Sequence, residues 1–85
     1  MKHAGASALQ SLEELLASLR RLPGLIERKP GIFYAKSQAF LRFHEDPVGL
    51  FADVKLTGRE FERFRVSTER DQAALLKAVV ANRAT

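Results

Sequence analysis

The chain contains no cysteine. That excludes disulfides, zinc–thiolate sites and iron–sulfur clusters, and it suits a reducing cytosol. Long apolar runs are also missing. The longest are four residues, such as Ala73–Leu76 and Ala78–Ala81, so no membrane span is expected. The first residues lack the apolar segment of a secretory signal. No glycine-rich phosphate loop occurs among the five glycines. None of the serines at 7, 11, 18, 37 and 67 sits in a nucleophile elbow. These gaps leave no catalytic residue to nominate and no cofactor to expect.

What is present describes one small domain. At 85 residues and 46% hydrophobic composition, the chain can build a single thin core. Its net charge of +4 is unevenly placed. Residues 1–42 hold seven basic and three acidic side chains, whereas residues 43–85 hold seven of each. Such a balance permits contact with nucleic acid or an acidic partner, but it is also an ordinary solubility charge.

Residues 1–6 read as a flexible tail and residues 7–85 as the domain. Leu9, Leu12, Leu15, Leu16, Leu19 and Leu22 recur at helical spacing. Ser7 with Gln10, or Ser11 with Glu14, would cap this helix, and Pro23-Gly24 would stop it. Strand-like segments follow: 25–29, 32–36, 39–45, 50–56 and 60–66. Pro30-Gly31, Ser37-Gln38, residues 46–49 and residues 57–59 separate them. Thr68 with Asp71 would cap a last helix whose apolar face is Leu75, Leu76, Val79 and Val80. The expected fold class is α+β: an N-terminal helix, an antiparallel meander of three to five strands and a C-terminal helix, with both helices on one face.

Alternation then assigns the two faces. A hairpin at 46–49 pairs Glu45 with Leu50, Phe43 with Ala52 and Leu41 with Val54. A turn at 57–59 pairs Leu56 with Glu60, Ala52 with Phe64 and Leu50 with Val66. The outer face then carries the rows Arg42–Asp53–Arg63, His44–Phe51–Arg65 and Phe40–Lys55–Phe61. In this register Glu62 falls on the core face opposite Val54, which requires a bulge or a sheet that curls away.

Three phenylalanines on a non-core face call for a cover, and a second copy of the chain is the favoured one. Rings interleaved with arginines on a sheet also describe a platform for single-stranded nucleic acid, although Asp53 at its centre would repel a phosphate. His44-Glu45-Asp46 resembles a ligand cluster, but neighbouring strand residues point to opposite faces and do not converge. Asp53 cannot pair with Glu45 or Glu62 as a catalytic carboxylate couple for the same reason. Met1 and His3 have the spacing of a square-planar Cu(II) or Ni(II) site formed by an amine, two amides and an imidazole.

The stretch Ala-Phe-Leu-Arg-Phe-His-Glu-Asp-Pro-Val-Gly-Leu-Phe-Ala-Asp-Val-Lys-Leu, residues 39–56, with residues 61–66, resembles a group of small uncharacterised bacterial proteins with an FLxFHEDPxGLFADV core. The resemblance implies a bacterial cytosolic protein and a strand–loop–strand unit. It transfers no catalytic residue.

Overall fold

The computed structural model describes residues 1–83. It is an α+β domain with an antiparallel sheet and helices at both ends of the chain. The elements are β1 (Lys2–His3), α1 (Ala6–Ser11), α2 (Glu13–Arg20), β2 (Ile26–Lys29), β3 (Ile32–Ala35), β4 (Gln38–Asp46), β5 (Gly49–Val54), β6 (Glu62–Arg65) and α3 (Glu69–Arg83). Strands β2 to β6 lie side by side in chain order, and β1 pairs with the far end of β4. Among the described residues, no helix is long and apolar enough to cross a membrane.

The leucine stripe forms two helices rather than one. Leu12 leaves helical geometry at φ −104° and ψ 13° between α1 and α2. Its amide bonds to the Leu9 carbonyl, a tight closing turn, while its own carbonyl accepts from Leu16 and starts the next ladder. Neither serine makes the expected cap on α1. Gly5 is the N-cap, and its amide donates to Glu45 Oε2 at 2.7 Å. Pro23-Gly24 does end α2, with Gly24 at φ +85°.

Two hairpins then build the near half of the sheet. Gly31, at φ +77°, turns β2 into β3. Glu27 braces that turn: it accepts from Arg20 Nε at 2.6 Å and from the Gly31 amide at 2.9 Å. The β3–β4 turn is Lys36-Ser37, one residue earlier than expected. Both residues have positive φ, as a two-residue primed turn demands. Pro47-Val48 joins β4 to β5, with the Val48 amide bonded to Asp46 Oδ2. Gly49 follows at φ +146°, where a Cβ would lie 2.5 Å from Ser67 Oγ.

The β4–β5 register has Leu41 opposite Val54, Phe43 opposite Ala52 and Glu45 opposite Leu50, as alternation requires. Ala52 faces Phe64 in β6, and Val66 donates to the Leu50 carbonyl. The expected Leu56–Glu60 pair does not form, because β5 ends at Val54 and residues 55–61 make a wider connection. Glu62 does stand opposite Val54 with no bulge. It is exposed because β6 is the last strand in the sheet order.

Both helices cover one face. Leu12, Leu16 and Leu19 meet Leu75 and Val79 of α3 over Phe33, Leu41, Phe43, Ala52, Val54 and Val66. The Thr68–Asp71 capping box forms in both directions. Gln72 donates to the Val66 carbonyl and Asn82 to the Leu56 carbonyl, tying both ends of α3 to the sheet. Val80 is a departure: it is 43% exposed and lies outside the core.

The beginning of the chain also departs from expectation. Lys2 pairs with Glu45 and His3 with His44, so these residues form a strand instead of a tail. Ala4 is buried, with its amide on the Phe43 carbonyl. β1 occupies the edge of β4 that β3 leaves open beyond Arg42.

Two substitutions check this packing. Phe43→Ala should lower the unfolding free energy by about 3–5 kcal/mol, as for a fully buried ring. Thr68→Ala should cost about 1 kcal/mol through the lost cap. Both are read from urea denaturation, and equal losses would contradict the assignment.

Candidate functional site

The sheet face turned away from the helices is built around Asp53. Its position in β5 follows from alternation, since Ala52 and Val54 point into the core. Arg42 lies opposite it on β4 and Arg63 opposite it on β6. Arg63 grips the carboxylate with both arms: Nε donates to Oδ1 at 2.9 Å and Nη2 to Oδ2 at 3.0 Å. Asp53 is only 7% exposed, the one charged residue that is buried among the described residues. A buried carboxylate needs such a partner. The hydrogen bonds from Arg63 hold its pKa below the ordinary value against the opposing effect of burial, and the charges of Arg63, His44 and Arg42 add to the lowering.

Arg42 does not share the carboxylate in the same way. Its guanidinium carbon lies over the Phe61 ring, 4.2 Å from the centroid. Lys55 also approaches that ring, with Nζ at 4.9 Å. The Arg42 Nε is buried and has no hydrogen-bond partner among the described residues. Phe61 is thus covered by two cations of its own chain.

His44 completes the cluster. Its Nε2 lies 3.2 Å from Asp53 Oδ2 but off the line of a hydrogen bond. Burial pushes its pKa down; Asp53 opposes this, and Arg42, Arg63 and His3 reinforce it. The His3 ring stands edge-on to it at 6.5 Å. Imidazole and carboxylate are neighbours here, yet the rows hold no hydroxyl or thiol for them to activate. Phe51 sits half-buried between His44 and Arg65, as the second row requires. The exposed Arg65 reaches toward Asp71 at 3.7 Å.

One expected member is elsewhere. Phe40 belongs to the core cluster and lies under the Arg83 guanidinium of α3, 5.5 Å away. The cause is the β3–β4 register. Phe33 pairs with Leu41 and Tyr34 with Ala39, so Phe40 is the extra residue of a bulge. It is therefore not part of the outer face. The three-ring cluster that called for a second copy of the chain is reduced to Phe51 and Phe61, and neither is among the exposed large hydrophobic residues.

The face has members that the sequence reading did not assign. Tyr34 follows the core residue Phe33 and pairs with Ile26, which is 59% exposed. Arg28 lies over the Tyr34 ring at 5.3 Å. Ile32 stands opposite Arg42, and His3 opposite His44. Alternation from Phe33 was the available signal for Tyr34 and Ile32.

The metal-like motifs do not assemble. Among the described residues, no group of three or more His, Asp or Glu side chains is placed to hold an ion. His44 and Glu45 diverge: Glu45 meets Gly5 and Lys2, while His44 meets Asp53. Met1 and His3 are not arranged as a square-planar site. The amine pairs with Asp46 at 3.7 Å, and His3 Nε2 donates to the Pro30 carbonyl at 2.9 Å. Closing that site requires β1 to leave β4.

The cluster sets a pH dependence. His44 has a folded-state pKa below its ordinary 6.5, so acidification through 6.5 protonates the unfolded chain first and destabilises the fold. Asp53 lies below 3.8, so its contribution is present above that pH and is lost on further acidification. Urea midpoints should hold level above pH 7 and then fall in two stages. His44→Gln should remove the upper stage. A wild-type midpoint unchanged from pH 7 to pH 5 contradicts the burial of His44. Asp53→Asn should cost about 1–2 kcal/mol at pH 7, moderated by the half-exposed Arg63.

No family model matches the chain, and comparison with curated proteins and with solved structures finds no significant relative. The resemblance carried by residues 39–56 and 61–66 therefore rests on those residues alone.

Proposed function

We propose that this chain is a small non-catalytic binding protein that engages an anionic partner through the open face of its sheet. One observation carries the reading: the face is cationic and its acids are already occupied. Arg28, Arg42, Lys55, Arg63 and Arg65 stand on it. Against them are Asp53, held by Arg63, Asp71, which Arg65 approaches at 3.7 Å, and Asp46, which faces the N-terminal amine. A field of one sign attracts a partner of the other. The cysteine-free chain and the resemblance to small bacterial proteins support a bacterial cytosolic setting.

Self-association through this face is the competing reading, and the sequence pattern favours a homodimer. The covered Phe61 ring weakens its basis, and two copies placed face to face would oppose their cations. Salt separates the two. Sedimentation at about 100 μM, well above a typical specific Kd, should show a monomer at low salt. A dimer that tightens as salt is added would overturn the anionic-partner reading, because screening relieves repulsion between like faces.

A further inference from the structure

Resting on the reading of the open face as a cationic binding surface, we infer that its partner is a single-stranded nucleic acid. Three features argue for this class. The first is spread. The cations run from Arg28 on β2 to Arg63 and Arg65 on β6. Those edge strands are four spacings of ~4.8 Å apart, roughly 19 Å, a span suited to several phosphates of one strand.

The second feature is the pairing of planar groups. Arg42 lies over Phe61 and Arg28 over Tyr34, while half-buried Phe51 sits beside Arg65. A guanidinium held against a ring offers its plane to a base and its N–H edge to a phosphate. The central carboxylate, the earlier objection, is buried and engaged by both arms of Arg63.

The third feature is shape. Reading a duplex groove takes a protruding helix or two-stranded ribbon. Here the helices α2 and α3 pack on the opposite side of the sheet. The exposed large hydrophobic residues Met1, Ile26, Val48 and Val80 are scattered over separate elements, which does not make an apolar patch for a lipid surface.

The test is fluorescence anisotropy of a labelled oligouridine of about twelve nucleotides, a length several times the proposed site. Neutralising three or four phosphates predicts that affinity falls roughly twenty- to fifty-fold between about 50 and 200 mM salt. The double variant Arg28→Gln/Arg65→Gln removes two cations that hold no buried partner. It should keep the wild-type thermal midpoint and lose about tenfold in affinity at the lower salt. A second readout is intrinsic: the chain has one tyrosine and no tryptophan, so its fluorescence reports Tyr34. Oligouridine should quench it after inner-filter correction, and poly-glutamate should not. Binding of poly-glutamate without oligouridine overturns the nucleic-acid inference and leaves the anionic-partner reading standing. Equal affinity for a duplex of the same length overturns the single-strand assignment. Failure to bind any of the three polyanions overturns both readings.

Discussion

The structure depends on the register of β4, β5 and β6. Strand side chains alternate with a period of two, so a slip of one residue would exchange the two faces. In the observed register Leu41, Phe43, Ala52 and Val54 are fully buried, and Asp53 is placed among Arg42, Arg63 and His44. The apolar side enforces the alignment, and the polar side makes it specific. Asp53 is buried, and it is Arg63 that supplies both hydrogen bonds to its carboxylate. Any alignment that buried Asp53 without that guanidinium would carry the desolvation cost of a charge with no compensating contact.

The same arrangement determines the character of the open face. Asp53 takes up one arginine, while Phe61 draws Arg42 and Lys55 over its ring. Aromatic surface that would otherwise invite association is shielded by cations, which changes the face from apolar to positively charged. His44 is kept neutral by burial beside this cluster, so the positive field comes from arginine and lysine and is insensitive to pH near neutrality. The β1 strand borders the face through His3 and holds the rim of the sheet in place.

Much of this was legible in the sequence because it is local. The alternation in residues 41–54, the hairpin turn within residues 46–49 and the Thr68–Asp71 box each involve neighbours along the chain or one short hairpin. What was not legible depends on distant partners. β1 is two residues long, too short to show a period, and it exists because β4 outruns β3. Phe40 left the predicted face because a bulge against β3 inserted one residue. The break at Leu12 and the Gly5 cap depend on the sheet edge, where Glu45 supplies the acceptor that Ser7 was expected to provide. Val80 fits a helical apolar stripe but has no sheet beneath it, since α3 turns Leu75 and Val79 to the core.

The central claim is that binding belongs to the open face rather than to the helical side. Arginine Nε–Hε resonances test it most directly, because the two surfaces carry different arginines. Titration of the isotopically labelled chain with a single-stranded oligonucleotide should shift the signals of Arg28, Arg42, Arg63 and Arg65 on the sheet and leave those of Arg20, Arg21 and Arg70 unchanged. Shifts confined to Arg20, Arg21 and Arg70 would place the contact on the helices and contradict the account.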